Sequence, residues 1–245
     1  MAVCNRVRRC RNETRWLPVS VPARVTTLLV AVVLVVAGIT FVALHFIAGQ
    51  PPVENYSAYA SGVQVNVVME TAPQTTITNK PDWVSYFIQN PQTRQWVHTT
   101  YFAVPAATKV NMTIYGYDGC TPLRNPYFGR VTGTTGDVEY VNGKATPLLN
   151  SWSGCNVQHT FTMPGLGINV PIASPTTVKE NNNLCPTSPC TSGPHQVVTF
   201  SFTTPDRGGT FRWQCIVPCG GGYVDGNGGP MGTPGYMSGQ MEVDT

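Results

Sequence analysis

The chain has 245 residues, and its charged fraction of 11% is under half of the ~25% that is typical of soluble domains. Its 24 glycines, 21 prolines and low charge exclude a coiled coil, a charge-rich disordered chain and a strongly basic nucleic-acid-binding protein. The net charge of +3 is unevenly divided, because residues 1–24 hold six arginines and one glutamate, while the other 221 residues hold nine basic and eleven acidic side chains.

An apolar stretch follows the arginine-rich terminus. Residues 25–47 read VTTLLVAVVLVVAGITFVALHFI and contain no Asp, Glu, Lys or Arg. At about 1.5 Å per residue this stretch covers the ~30 Å hydrocarbon core of a bilayer, so we predict a transmembrane helix over residues 25–48. A cleaved signal peptide is the alternative, although its apolar region is usually only ~7–15 residues long.

The arginines also predict the orientation of this helix in the cell membrane. The positive-inside rule keeps basic flanks in the cytoplasm. We therefore expect a single-pass protein that contacts the lipid bilayer, with a cytoplasmic tail over residues 1–24, a linker over residues 49–60 and an extracytoplasmic domain over residues 61–245.

Short runs rich in β-branched and aromatic residues, bounded by Gly, Pro, Asn and Asp, make up much of the outer domain. In residues 110–115, VNMTIY, apolar and polar residues alternate as on a strand with one buried face. We predict an all-β domain whose strands pack as a two-sheet sandwich. The predicted strands are Val63–Glu70, Val84–Ile88, Val97–Ala103, Lys109–Tyr115, His159–Thr162, Val197–Thr203, Thr210–Cys215 and Met237–Val243.

Three stretches, residues 116–155, 174–195 and 220–236, are too long for hairpin turns and are predicted as insertions or functional loops. Six of the eight cysteines lie in the outer domain, where disulfides persist. We expect one disulfide between Cys120 and Cys155, which would clamp the first insertion, and another between Cys185 and Cys190 in the second.

Two segments carry residues suited to metal chemistry. The first, residues 156–168, contains His159, and the second, residues 208–220, contains Cys215 and Cys219, with Met231 and Met237 farther along. Thiolate, imidazole and thioether are ligands that copper prefers. For Cys215 and Cys219, a third disulfide is the competing interpretation.

The spacing in these segments resembles that of cytochrome c oxidase subunit II. The match runs through His159-Thr160-Phe161 to Pro164 and Gly167, and through Phe211, Gln214, Cys215, Cys219 and Gly220. The resemblance implies a cupredoxin domain, which is a Greek-key β-sandwich. Such a domain would hold a binuclear copper centre and transfer electrons within a membrane oxidoreductase complex of the respiratory chain. It also implies partners among the other subunits, with a cytochrome c or another protein as electron donor.

The resemblance implies the following ligands: the imidazole of His159, the bridging thiolates of Cys215 and Cys219, and the backbone carbonyl of Val217. Tyr223 stands where the family has its second histidine, so the ligand loop is degenerate. Counting back from the last strand makes Met237 the axial thioether, and Met231 is the alternative.

The sequence contains no G-x-S-x-G, H-E-x-x-H or Walker motif, so we expect a non-catalytic subunit. Two other functions stay open: a copper-free structural or accessory subunit of a membrane complex, and a copper-delivery protein. His195 is a candidate replacement for the missing imidazole if the second insertion folds over the site, and His98 is expected to be structural.

Overall fold

The computed structural model describes residues 21–44, 50–149, 155–175, 184–220 and 229–245. The chain divides into two compact units, residues 1–50 and residues 51–245.

The first unit contains helix α1, Val21–Val42, which has 22 residues and includes an 18-residue window with a mean hydropathy of 2.7. It is long and apolar enough to cross a membrane, and its side chains are exposed along its whole length. The helix begins four residues before the predicted start, because Pro22 is well tolerated in a first helical turn. The end predicted at residue 48 lies outside the described residues.

The second unit is a β-sandwich. Its described strands are β1 Val53–Asn55, β2 Gln64–Ala72, β3 Ser85–Gln89, β4 Trp96–Val97, β5 Tyr101–Pro105, β6 Lys109–Gly116, β7 Glu139–Val141, β8 Lys144–Thr146, β9 Val157–Met163, β10 Ile168–Ala173, β11 Gln196–Thr203, β12 Gly209–Gln214 and β13 Ser238–Asp244. Single 3-10 turns cover Ser57–Tyr59, Pro126–Gly129 and Pro164–Leu166.

The strands form two sheets. One has the order β1-β5-β13-β12-β9-β10, and the other has the order β4-β3-β2-β6-β11-β7-β8. Strands β2 and β6 pair in parallel, as do β5 and β13, so consecutive strands repeatedly cross between the sheets. Apolar side chains of both inner faces meet in one core, in which Phe161 of β9 contacts Phe200 of β11 and Trp213 of β12.

The predicted all-β sandwich is confirmed, but some of its strands differ from the prediction. The run Val97–Ala103, predicted as one strand, is divided between the two sheets. The N–H of Thr99 donates to the carbonyl of Val97, which turns the chain between β4 and β5. Strand β1 falls inside the expected linker, residues 49–60, because it pairs in parallel with β5.

Three further strands lie outside the runs that the sequence predicts. Strands β7 and β8 form a hairpin within the first insertion, and Asn142-Gly143, with φ angles of 50° and 79°, makes its turn. Strand β10 contains Pro171, which argues against a central strand. It is tolerated here because β10 lies at the edge of its sheet.

Candidate metal centre

Three side chains with metal-binding atoms converge at one end of the sandwich. The Nδ1 atom of His159 lies 3.0 Å from the sulfur of Cys219 and 3.8 Å from that of Cys215. The two sulfurs are 3.4 Å apart and are not bonded to each other. All three atoms lie within 4.8 Å of one another, which makes this cluster a candidate metal centre.

Backbone hydrogen bonds fix the cysteine loop. The N–H of Cys215 donates to the carbonyl of Met237 at 2.8 Å and extends the pairing of β12 with β13. The N–H of Cys219 donates to the carbonyl of Val217 at 2.8 Å, which makes a tight turn between the cysteines. The chain then leaves the site through Gly220, whose φ of 100° favours glycine.

Thr160 connects this loop to β9. Its N–H points to the sulfur of Cys215 at 3.4 Å, and its hydroxyl oxygen accepts the N–H of Ile216 at 2.8 Å. Because Thr160 follows His159 directly, the same short strand segment sets the position of the imidazole and of the first sulfur.

The second nitrogen of His159 contacts a carboxylate. Its Nε2 lies 3.0 Å from Oδ2 of Asp118, which follows β6, and the imidazole is only 1% exposed. A carboxylate at the far nitrogen fixes the orientation of a ligand histidine and increases its basicity. Nδ1 is thereby directed at the two sulfurs.

Burial and mutual contacts shift the pKa values of His159, Cys215 and Cys219. Burial alone would lower the pKa of His159, but its hydrogen bonds with Asp118 and Cys215 raise the pKa to about 9. Burial opposes ionisation of both thiols, yet hydrogen bonds from Cys219 and His159 place the pKa of Cys215 well below its usual value. Burial and the neighbouring sulfur raise the pKa of Cys219. These shifts favour ionisation of Cys215 and protonation of His159 and Cys219.

Aromatic side chains cover the inner side of the centre. The ring of Tyr86 lies 6.1 Å from that of His159 and packs edge-on against Trp213. The Tyr86 hydroxyl donates to the carbonyl of Thr160 at 3.1 Å. An apolar shell of this kind limits the access of water to a metal site.

The other predicted ligands lie on the same loop. The carbonyl oxygen of Val217 lies 3.7 Å from the sulfur of Cys215. Met237 is fully buried in the core, and its backbone bonds to Cys215 and to Pro230. Met231 is half-buried beside the loop. Val217 and Met237 thus border the sulfur pair through backbone atoms.

The remaining described histidines do not join this group. The ring of His98 packs between Phe87 and Tyr236. His195 lies against the rings of Tyr115 and Tyr117, with Nδ1 at 2.9 Å from the carbonyl of Gly193. Tyr223, at the expected position of a second imidazole, lies outside the described residues.

Disulfides join Cys120 to Cys155 and Cys185 to Cys190, which are the pairs expected from the sequence. Cys120 lies two residues beyond Asp118, and its bond to Cys155 ties the start of the first insertion to the segment just before β9. It therefore stands next to the segment that supplies the carboxylate to His159.

Sequence reasoning missed Asp118. Its signal was available, because it is a lone carboxylate directly after the alternating run of β6 and two residues before a paired cysteine. The sequence could not show that the end of β6 lies beside the middle of β9, since these strands belong to different sheets.

No family model matches the chain, and no curated protein matches it. Several solved structures of rusticyanin do. Rusticyanin from Thiobacillus ferrooxidans is 16% identical, with a TM-score of 0.31, and the match covers 78% of this chain and 82% of that one. A histidine-to-methionine variant of rusticyanin is 15% identical, with the same TM-score and coverage. Reduced rusticyanin is 14% identical, with a TM-score of 0.29 and coverage of 78% and 84%.

The three side chains of the candidate centre come from one strand and one loop of the sandwich. A histidine on an inner strand faces two cysteines in the loop between the last two strands, within a sandwich of two sheets. The chain thus combines one apolar N-terminal helix with a β-sandwich of two sheets.

Proposed function

We propose that this chain is a membrane-anchored, extracytoplasmic copper protein that transfers electrons within a membrane oxidoreductase complex. The observation that carries the proposal is the convergence of His159, Cys215 and Cys219, with unbonded sulfurs, in a largely buried site. Two sulfurs and one imidazole form a donor set that binds copper in preference to hard cations such as magnesium.

The residues of the chain fit this metal. His159 would bind through Nδ1, since Nε2 is occupied by Asp118, and Cys215 and Cys219 would bind through sulfur. Copper, when bound, supplies one-electron chemistry. The protein holds the donors in place through Thr160 and Asp118 and keeps water away with Tyr86 and Trp213, so that little has to rearrange when the charge of the site changes.

The number of copper ions is part of the proposal. The resemblance to oxidase subunit II implies a binuclear centre, whereas the described residues bring one imidazole to the sulfur pair. A second ion would need further ligands, for which Met237 and the carbonyl of Val217 are candidates from the same loop. We propose a copper centre built on the cysteine pair, with one or two ions as the quantity to be measured.

The proposed partners follow from the anchor and the resemblance. With arginines in the cytoplasm, helix α1 would fix the sandwich at the outer face of the cell membrane. There it would exchange electrons with other subunits of its complex and with a cytochrome c or another donor. Rusticyanin, the solved protein reported above, is itself described as a copper protein.

Copper titration of the full chain in detergent tests the proposal. We expect an intense sulfur-to-copper absorption band that saturates at a fixed ratio. Cys215→Ser, Cys219→Ser and His159→Ala should each weaken copper binding at least about ten-fold. His195→Ala is the matched control, because that imidazole lies on Tyr115 and Tyr117 outside the group.

Two other results would favour the other functions. An absence of copper binding together with a Cys215–Cys219 disulfide would support a copper-free structural subunit. Weak binding that a chelator reverses within seconds would support copper delivery, which an incomplete set of three ligands would permit.

A further inference from the structure

A second concave site lies next to the cysteine loop. A cleft of about 460 Å³ is walled on one side by the first insertion and on the other by the loop after β12. Its volume falls in the ~300–1,000 Å³ range of small-molecule sites. The lining residues are Leu123, Arg124, Asn125, Phe128, Ile216, Pro218 and Met231.

The walls of the cleft are mostly apolar. Phe128 and Met231 are partly buried and pack against the core beneath the cleft. Ile216 and Pro218 alternate along the chain with Cys215, Val217 and Cys219, so they belong to the same loop as the two sulfurs. An occupant of this cleft would therefore contact the loop that forms the metal centre.

A disulfide and hydrogen bonds within the protein hold the walls of the cleft in place. The Cys120–Cys155 disulfide ties down the insertion, and the side chain of Asn125 accepts the N–H of Tyr127 at 3.0 Å, which begins a 3-10 turn. Ile216 is tied to β9 by its N–H bond to Thr160. A preformed cleft loses little entropy when it binds a ligand.

Arg124 is the only charged side chain among the described residues that line the cleft. Between Gly119 and Gly136 the charged residues are Arg124 and Arg130, and both are exposed. Between Trp213 and Met241 the sequence has a single charged residue, Asp225, which lies outside the described residues. Among the described residues, Arg124 has no carboxylate within ion-pair distance.

We propose that this cleft binds a small organic anion. The acidic group of the ligand would lie on the guanidinium of Arg124, and its ring or short chain would lie against Phe128, Ile216 and Met231. Guanidinium recognises carboxylate and sulfonate groups through paired N–H donors. The proposal goes beyond electron transfer and does not depend on bound copper.

Calorimetry with two probes of matched size tests this site. The full chain is placed in lipid nanodiscs without added metal and titrated with naphthalene-2-sulfonate and with the neutral naphthalene-2-sulfonamide, and empty nanodiscs provide the blank. We expect the anion to bind about five-fold more tightly than the neutral probe, the most that one exposed ion pair usually contributes.

Three variants identify the groups involved. Arg124→Gln should remove the preference for the anion, whereas Arg207→Gln, on the exposed turn before β12, should leave it intact. Met231→Trp should fill the cleft and weaken both probes. Because Arg124 and Arg207 are exposed, the two arginine variants should have the same melting temperature as the wild type.

Equal affinities for the two probes, or an anion preference that survives Arg124→Gln, would overturn the proposed anion site. An absence of binding by either probe to a folded protein would overturn the cleft itself.

Discussion

At the scale of single residues, the imidazole of His159 is held from two sides. Asp118 occupies Nε2, and the cysteine sulfurs face Nδ1. The carboxylate both orients the ring and raises its pKa, which favours the charged imidazolium while no metal is bound. Copper binding here would be expected to release protons from His159 and Cys219, because metal ligands bind in their deprotonated forms.

Replacing Asp118 with Asn should keep a hydrogen-bond acceptor near Nε2 but remove the negative charge. We expect copper affinity to fall by about 10–100-fold, the usual cost of losing such a partner. The pKa of His159 should also fall, so fewer protons should be released on metal binding near pH 8.

Chelator competition measures the affinity, and a weakly buffered titration counts the protons. Asp137→Asn is the matched control, because Asp137 accepts the N–H of Gly133 at a turn of the insertion. Unchanged affinity and proton release in the Asp118 variant would show that the carboxylate does not position the ligand.

Glu70 is a second carboxyl with an unusual environment. It is fully buried on β2, one oxygen accepts the N–H of Cys190 at 2.7 Å, and the other has no partner among the described residues. Burial raises its pKa to about 8. The ring of Tyr117 is near enough for its own pKa to be raised in part by Glu70.

This carboxyl should make stability depend on pH. Between about pH 4.5 and 8 the unfolded chain releases the proton of Glu70 while the folded chain retains it, so the free energy of unfolding falls as the pH rises. The slope is at most about 1.4 kcal/mol per pH unit.

The variant Glu70→Gln should flatten this dependence. Denaturant unfolding at pH 5 and pH 8 measures the change, with Glu242→Gln on β13 as the control for loss of one carboxyl. A Glu70→Gln protein that loses as much stability between these pH values as the wild type would contradict the assignment.

The sequence predicted the three clustered side chains better than their surroundings. Soft-ligand residues at a characteristic spacing are enough to single out His159, Cys215 and Cys219. Asp118 and the amide of Thr160 could not be assigned in this way, because a carboxylate or a backbone N–H has no distinctive local pattern. Their roles depend on which strands lie side by side.

At the scale of elements, one disulfide closes each of the first two insertions. The Cys120–Cys155 bond spans 35 positions and the Cys185–Cys190 bond spans 5. On the chain-entropy model, closing these loops contributes about 4 and about 2 kcal/mol to the free energy of unfolding.

Removing each pair by double alanine substitution should reproduce this order. Chemical denaturation at pH 6 measures both losses, and the double variant at Cys120 and Cys155 should be the less stable. A larger loss of unfolding free energy on removing the Cys185–Cys190 bond would mean that local contacts, such as that between Cys190 and Glu70, matter more than loop entropy.

Most strands could be predicted from their alternation and their turn residues. The exceptions have physical reasons. The predicted strand Val97–Ala103 crosses between sheets, and apolar content alone cannot mark such a crossing. Strand β10 carries Pro171, which only an edge position tolerates, and an edge is a property of the assembled sheet.

At the scale of the whole molecule, the chain divides into an apolar helix and a β-sandwich. All described side chains of α1 between Val21 and Val42 are exposed. An apolar helix of this length is expected to lie in lipid.

Leu34→Arg should therefore weaken membrane insertion by about 3 kcal/mol, the usual cost of an arginine at the centre of a spanning helix. Leu34→Ala is the control. Alkaline carbonate extraction of membranes measures the effect: the wild type and the alanine variant should stay in the pellet, and the arginine variant should be partly released. Complete extraction of the wild type would contradict a retained anchor.

The most direct test of the copper centre is a metal analysis of the purified full chain, combined with a count of free thiols and a spin-resonance spectrum of the same sample. We predict stoichiometric copper, one or two ions per chain, with Cys215 and Cys219 unavailable to thiol reagents until the metal is removed. A copper-free protein after reconstitution, with a disulfide between Cys215 and Cys219, would contradict the account.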